Sequence, residues 1–268
     1  MNIRAAVFDV DGTLVPHGAA GPSEGTVAAL RALQEKGIPV VIASGRARYT
    51  AQSVLGEGIR PDYFAAANGC DVTDAENRPI WNSRMTQAEM EALIGFFEER
   101  HIPLEFLFSD AYYAYISYEL FRQEYEGGGT KTKGIAEHLR DGESRTRHLQ
   151  DMPFAACTAM AKQDVKDFQS RFATLGLRFV CFQPDKYDIL RANVDKSIGI
   201  THLLEHLGIL WADTAVFGDG DNDAEMFRRA GFSVAMGDGT PEIRALASVV
   251  SAPAAQDGVA RAVQTYLL

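Results

Sequence analysis

Two aspartates one residue apart, Asp9 and Asp11, follow a short apolar run near the start of the chain and open the segment Asp-Val-Asp-Gly-Thr. Ligands of open α/β sheets bind at the carboxyl ends of the strands, where these carboxylates are expected to lie. One carboxylate can attack an electrophile while the other transfers protons. Gly12 allows an unusual turn whose amide groups can face an anion. A simple turn rich in Asp and Gly has the same composition, so this segment alone leaves both interpretations open.

Three more segments carry polar groups where strands or helices are expected to end or begin. Ser44 and Gly45 follow an apolar run and offer a hydroxyl and an amide at the start of a helix, which suits an anion. Residues 218–223, Gly-Asp-Gly-Asp-Asn-Asp, follow another such run, and their carboxylates suit Mg²⁺ better than Zn²⁺. Lys196 begins the helix that leads into that strand. Carboxylates, a hydroxyl, an amide-rich turn and one lysine at a single edge are typical of a phosphoryl-transfer site.

The elements that must position these groups alternate between strand and helix patterns. This alternation occurs in residues 1–82 and again in residues 189–268, and it predicts an α/β core with a doubly wound, Rossmann-like parallel sheet. The predicted core strands are 4–8, 38–43, 63–67, 214–217, 232–235 and 247–250.

The region between them, residues 83–188, has a different character. It holds most of the aromatic residues and two pairs of neighbouring strand patterns that predict antiparallel hairpins, 104–108 with 112–117 and 177–182 with 187–190. We therefore expect an α+β cap domain inserted into the core. Its aromatic cluster at 106–115 is expected to form the hydrophobic core of that domain rather than a surface on which bases stack.

Composition limits the class of protein. The chain has 268 residues, 46% of them hydrophobic, and a formal net charge of -10, which disfavours nucleic acid or an anionic membrane as a partner. The three cysteines exclude a disulfide scaffold and a four-cysteine zinc site. Asp9 and Asp11 interrupt the early apolar run, so no signal peptide is expected, and no stretch is apolar enough for a membrane span. We expect a soluble cytoplasmic protein, and no pattern indicates an oligomeric state.

The motifs occur in one order: Phe-Asp-Val-Asp-Gly-Thr-Leu, Ala-Ser-Gly-Arg, Lys196, and Gly-Asp-Gly-Asp-Asn-Asp-Ala-Glu-Met. With its motifs in this order, the chain resembles members of the haloacid dehalogenase (HAD) superfamily, and within it the Cof-like hydrolases with a large α/β cap. Asn68-Gly69 before the insert, Val-Ala-Met-Gly at 234–237 and Asp-Gly-Val-Ala at 257–260 strengthen the resemblance. It covers nearly the whole chain, although the cap matches only in its order of elements.

The resemblance implies a role for each matching residue. Asp9 would be the nucleophile that accepts the phosphoryl group, and Asp11 the acid that protonates the leaving oxygen and later deprotonates water. The implied cofactor is Mg²⁺. The implied metal site comprises the Asp9 carboxylate, the Asp11 main-chain carbonyl and Asp219, with Asp223 in support. The implied phosphate-binding groups are Ser44, the Gly45 amide, Lys196 and Asn222.

Some residues depart from the pattern of the subfamily, and others fit more than one role. Ser197 stands where the subfamily usually has Gly, and Asp238 where Asn is common. Arg46 fits a contact with the substrate phosphate and a structural ion pair equally well. His202 and His206 have the spacing of metal ligands, but their helix also carries a leucine face, which favours a solvated polar surface.

These patterns together predict a Mg²⁺-dependent phosphatase of small phosphorylated metabolites. Sugar phosphates are the expected class of substrate, by family analogy alone. Two alternatives remain open at this stage. A phosphomutase would keep Asp9 and Asp11 but return the phosphoryl group to a second hydroxyl. A non-catalytic member that only binds a phosphorylated ligand would be expected to have lost one of these groups, and none is missing.

Overall fold

The computed structural model describes residues 2–128, 132 and 134–268. The chain divides into two compact units, Met1–Asn82 with Asp195–Leu268, and Ser83–Val194. The boundary predicted at 188/189 falls inside a strand, Lys186–Arg191, which pairs on both sides with strands of the second unit. The second unit therefore continues to Val194.

Within the described residues, an eight-stranded sheet forms the centre of the first unit. Its strands, in spatial order, are β14 (Val249–Val250), β13 (Phe232–Ala235), β12 (Thr214–Gly218), β1 (Ala5–Phe8), β2 (Val40–Ala43), β3 (Tyr63–Ala66), β4 (Asp71–Asp74) and β5 (Pro79–Asn82). The six strands from β14 to β3 pair in parallel, which confirms the predicted α/β sheet. β4 and β5 extend it with antiparallel pairs that the sequence analysis did not predict. Each has only four residues, β4 begins and ends with aspartate, and β5 begins with proline, so both resemble a loop in sequence.

Helices cover both faces of this sheet. They are α1 (Glu24–Glu35), α2 (Arg48–Leu55), α7 (Lys196–Leu207), α8 (Ala224–Arg229), α9 (Pro241–Leu246) and α10 (Gly258–Tyr266). Side chains of a strand alternate between faces. Phe8 of β1 therefore joins the core formed with α1, α2 and α10, whereas Val7 joins the core formed with α7, α8 and α9. Ser23 caps α1, since its hydroxyl accepts a hydrogen bond from the Thr26 amide at 3.0 Å.

The second unit contains a six-stranded sheet, counted over its described residues. In spatial order its strands are β10 (Leu177–Gln183), β11 (Lys186–Arg191), β9 (Ala155–Ala159), β6 (Leu104–Leu107), β7 (Tyr112–Ile116) and β8 (Leu139–Asp141). Both predicted hairpins are present, as β6 with β7 and β10 with β11. The helices of this unit are α3 (Gln87–Glu99), α4 (Tyr118–Gly127), α5 (Ile135–His138) and α6 (Lys162–Arg171).

The aromatic residues of the second unit form its core. Phe106 and Tyr115 of the sheet pack in one buried cluster with Phe97 of α3 and Phe168 of α6. The rings of Phe106 and Tyr115 meet edge to face, with centroids 4.9 Å apart. The structure thus confirms that this cluster is core. In the part of the chain that is described, no helix has both the length and the apolar character of a membrane span.

One glutamate is fully buried in the second unit. Glu105 of β6 has no exposed surface and accepts a hydrogen bond from the Tyr125 hydroxyl of α4. Burial raises the pKa of Glu105 to about 8, and Asp188 raises it further, while hydrogen bonds from Tyr125 and Cys157 and the charge of Lys186 oppose the shift. The side chain is therefore a neutral acid at pH 7, because removing its proton would leave a buried charge.

This buried acid gives a prediction for stability against pH. From about pH 4.5, the usual pKa, to about pH 8, the unfolded chain loses a proton that the folded chain keeps, so the free energy of unfolding falls by about 1.4 kcal/mol per pH unit. Glu105→Gln removes this contribution. The free energy of unfolding of the variant, relative to that of the wild type, should therefore rise from about pH 4.5 to about pH 8 and level off above it. Urea unfolding at several pH values measures the difference. The exposed Glu91→Gln is the control, and equal pH slopes for Glu105→Gln and wild type would contradict the prediction.

Candidate active site

The sheet brings the polar motifs to one edge. Asp9 directly follows β1 and Asp219 directly follows β12, and these two strands pair in parallel. The Asp9 amide donates to the Phe217 carbonyl at 3.0 Å, which continues the ladder to the end of β1. Ser44 follows β2, on the other side of β1. The carboxyl ends of the three strands therefore carry the groups that the sequence predicted for a site.

A buried group of three charged side chains lies at this edge. The Lys196 ammonium donates to Oδ1 of Asp9 at 2.6 Å and to Oδ1 of Asp223 at 2.7 Å. The side chains of Lys196, Asp9 and Asp223 are 1%, 8% and 0% exposed. We call these three residues the buried triad. Charges so removed from water persist only when they are paired and hydrogen-bonded, and each member satisfies the others here.

The triad is electrostatically crowded. Burial raises the pKa of Asp9 well above its usual value; Lys196 opposes this shift, and the carboxylates of Asp223 and Asp219 add to it. Burial likewise raises the pKa of Asp223, with Lys196 again opposing. For Lys196, burial lowers the pKa, but Asp223 and Asp9 outweigh it and the net direction is upward. The lysine therefore remains charged, and the acidic groups exceed what one ammonium neutralises.

The acidic groups fit a divalent cation. Asp9, Asp219 and Asp223 each offer a carboxylate oxygen, and these atoms lie within 4.8 Å of one another. When ionised they carry three negative charges against the single positive charge of Lys196, so a divalent cation would balance the cluster. All the donors are hard oxygen atoms, the ligands that Mg²⁺ prefers.

Asp219 has two neighbours that the sequence analysis did not assign. The Thr13 hydroxyl donates to Oδ1 of Asp219 at 3.2 Å, and Nε2 of His17 lies 3.4 Å from Oδ2. The hydrogen bond that Asp219 accepts from the imidazole raises the pKa of His17. Gly12, which has φ +82°, makes room for this arrangement, because a Cβ atom there would lie 2.1 Å from Asp219 Oδ2. Thr13 stands inside the quoted motif, but the sequence carries no sign that His17 reaches the same carboxylate.

Asp11 points to a different partner. Its side chain is 47% exposed and accepts two hydrogen bonds from Arg46, from Nε to Oδ2 at 2.7 Å and from Nη2 to Oδ1 at 2.8 Å. Of the two interpretations of Arg46 that the sequence left open, the structure shows an ion pair. Its partner is the second aspartate of the first motif.

The predicted phosphate-binding residues lie in two loops and one helix start. Ser44 is buried, and its hydroxyl accepts from the Arg46 amide at 3.2 Å. A Cβ atom at Gly45 would lie 3.3 Å from the side-chain amide of Asn68, so the loop after β2 lies against the turn after β3. Asn222 occupies the exposed 3-10 turn Asp221–Asp223, at the surface beside the buried triad's Asp223.

Lys196 is held by the first turn of α7. Asp195 caps this helix, accepting from the Ile198 amide at 3.0 Å and from the Ser197 hydroxyl at 2.7 Å. Gly69, with φ +89°, lies so close that a Cβ atom there would be 2.3 Å from the Asp195 carbonyl oxygen. A Cβ atom at Gly199 would in turn lie 2.5 Å from the Gly69 oxygen. The two residues that depart from the subfamily also have partners. The Ser197 hydroxyl donates to the side chain of Asp195, the N-cap of α7, and Asp238 accepts from the Ala254 amide at 3.2 Å.

The histidine pair on α7 behaves as a polar surface. The ring of His202 stacks on Trp81 with centroids 4.3 Å apart, and its Nδ1 lies 3.5 Å from Glu205. Among the described residues, the cluster with the geometry of a metal site contains Asp9, Asp219 and Asp223 but neither His202 nor His206.

A doubly wound α/β core with an inserted α+β unit, and buried acidic groups around one lysine at the carboxyl edge of its sheet, are features typical of enzymes that transfer phosphoryl groups. The sequence profile of the haloacid dehalogenase-like hydrolases matches residues 6–263. The chain belongs to this family, and it is an enzyme of the phosphatase type.

Its relatives are named as phosphatases. The chain is 29% identical over 266 residues to the candidate phosphatase YkrA of Bacillus subtilis (strain 168), covering 98% of each protein. It is 25% identical over 253 residues to the HMP-PP phosphatase of Yersinia pseudotuberculosis serotype I (strain IP32953), covering 90% of this chain and 86% of that protein. Among solved structures, the HAD subclass IIB sugar phosphatase BT4131 is similar with a TM-score of 0.82 and 25% identity, over 98% of both chains.

Proposed function

We propose that this chain is a Mg²⁺-dependent phosphatase of small phosphorylated metabolites, acting through an aspartyl phosphate on Asp9. The observation that carries the proposal is the buried triad, in which an ammonium at 2.6 Å holds the Asp9 carboxylate at the end of β1. A carboxylate nucleophile repels an anionic phosphate until positive charge offsets the repulsion. Lys196 supplies part of that charge in a site where water does not screen it.

The covalent step can be written from these residues. A carboxylate oxygen of Asp9 forms a bond to phosphorus as the bond to the leaving oxygen breaks, and Asp11 gives its proton to that oxygen. Asp11 then accepts a proton from water, whose oxygen attacks phosphorus and releases inorganic phosphate and the free Asp9 carboxylate. The exposed position of the Asp11 side chain supports this role, because a proton carrier must reach both the ester and water.

The metal site is assigned to the same edge. The Asp9 carboxylate, the Asp11 main-chain carbonyl and Asp219 would hold Mg²⁺, which as a bound cation polarises phosphoryl oxygens. Asp223 would support the site rather than ligate, since its Oδ1 accepts from Lys196 and its Oδ2 from the amides of Asp219 and Gly220. Ser44, the Gly45 amide, Lys196 and Asn222 would bind the transferring phosphate.

Sugar phosphates are the proposed class of substrate. The support is similarity alone: a sugar phosphatase shares 25% identity with this chain over 98% of both chains. The HMP-PP phosphatase, which is 25% identical, makes phosphorylated cofactor precursors the next class to include in a test.

The test is phosphate release from a panel of phosphorylated sugars, nucleotides and cofactors, measured with Mg²⁺ and again with EDTA. We expect release that concentrates on one chemical class and is lost with EDTA, because the acidic cluster then lacks its balancing cation. Product analysis by NMR accompanies the assay. Conversion of a sugar monophosphate to an isomer with little free phosphate would contradict the proposal in favour of a phosphomutase. A folded, Mg²⁺-binding protein that releases nothing would favour a binding protein.

A further inference from the structure

The ion pair between Asp11 and Arg46 has the geometry of a planar fork. Both oxygens of the carboxylate are engaged by two different nitrogens of one guanidinium, at 2.7 and 2.8 Å. Such a bidentate pair fixes the plane of the carboxylate as well as its distance, which a lysine at the same place could not do.

Arg46 is the fixed member of this pair. Its side chain is 12% exposed, against 47% for that of Asp11. Its backbone is held on both sides, because its amide donates to the Ser44 hydroxyl at 3.2 Å and its carbonyl accepts from the Ala67 amide at 2.8 Å. An exposed aspartate without such a partner samples several rotamers, and a proton donor needs one position to act. The guanidinium therefore supplies the orientation that the exposed carboxylate lacks.

We propose that Arg46 is a positioning residue that orients the Asp11 carboxylate for proton transfer to the leaving oxygen. This inference rests on the proposed function. The competing role, a direct contact between Arg46 and the substrate phosphoryl group, makes a different prediction. A phosphoryl contact contributes equally to all monoesters, whereas orientation of the acid contributes most to esters whose leaving group needs a proton.

The test compares two esters of similar shape, p-nitrophenyl phosphate and phenyl phosphate. Phenol is a poor leaving group, with a pKa of about 10, and p-nitrophenol is a better one because it is more acidic. We expect Arg46→Met to lower kcat/KM for phenyl phosphate by about 10- to 100-fold and for p-nitrophenyl phosphate by less than about threefold, within the usual contribution of general acid catalysis. The ratio kcat/KM is used because it reports the first phosphoryl transfer, before water attacks.

Three further variants complete the experiment. Asp11→Asn with Arg46→Met should lose no more on phenyl phosphate than Asp11→Asn alone, since Arg46 acts through Asp11. Arg46→Lys keeps the charge without the fork and should fall between wild type and Arg46→Met, and it serves as the test if Arg46→Met does not fold. Arg48→Met is the matched control, because Arg48 donates to the Ala75 carbonyl and lies over the Phe64 ring.

Two results would overturn the inference while the proposed function stands: equal losses of Arg46→Met on both esters, or no loss with an unchanged melting curve. A wild-type enzyme that cleaves neither of these esters nor any of the panel would overturn the proposed function and this inference together.

Discussion

Asp9→Asn is expected to abolish phosphate release, lowering kcat/KM by at least about a thousandfold, because the amide cannot attack phosphorus. The fold should survive the change. The Asn oxygen can still accept from Lys196, and the substitution removes one negative charge from a crowded cluster in which burial already raises the pKa of Asp9. Phosphate release and a thermal unfolding curve on the same sample test both expectations.

A second variant is the matched control for this experiment. Asp213→Asn makes the same exchange in the 3-10 turn Trp211–Asp213, on the other end of β12 from the site, and should leave activity unchanged. If Asp9→Asn retained near-normal activity with an unchanged melting curve, a covalent intermediate on Asp9 would be ruled out.

Lys196→Met is expected to cost both activity and stability. Removing one member of a buried ion pair leaves an uncompensated charge, which lowers the free energy of unfolding by roughly 3–5 kcal/mol. In Lys196→Met both Asp9 and Asp223 lose their partner. We expect a loss of this size in the free energy of unfolding with EDTA present. Added Mg²⁺ should recover more stability in Lys196→Met than in the wild type, because the cation then balances carboxylates that the lysine no longer pairs.

Urea unfolding with EDTA and with Mg²⁺ measures this prediction. The control is Lys166→Met, which removes an exposed lysine of α6 and should change little. Combining Lys196→Met with Asp223→Asn should restore part of the loss, since one buried charge is gone. A loss below about 1 kcal/mol in Lys196→Met would show that the ion pairs do not hold the site together.

The sequence predicts the parts of the site that lie in continuous motifs. Asp9, Asp219 and Ser44 each follow an apolar strand, and strands of a parallel sheet end at a common edge, so their convergence follows from local pattern plus one topological rule. Lys196 is predicted at the start of its helix and is found there. Their roles in catalysis and metal binding stay proposals until the variants above are measured.

Other features could not be predicted, because they depend on which loops come together. The contact of His17 with Asp219, and the orientation of Arg46 towards Asp11, are set by tertiary packing between segments far apart in sequence. The antiparallel strands β4 and β5 were missed for a different reason. Each has only four residues, β4 begins and ends with aspartate and β5 begins with proline, and these residues have a low β-propensity that the pairing with a neighbouring strand overrides.

The close contact between Gly69 and Asp195 has a consequence for how the chain is assembled. The core chain leaves at Asn82, which pairs with Asp71, and returns at Asp195, against which Gly69 packs, so exit and re-entry lie beside the same short stretch of the core. Contacts within the core thus hold the two ends of the inserted segment close together. For a flexible segment held in this way, doubling its length costs only about 0.6 kcal/mol in closure entropy. The core therefore holds both ends of the inserted unit independently of what lies between them, and a change in the length of that unit should leave Lys196 in place.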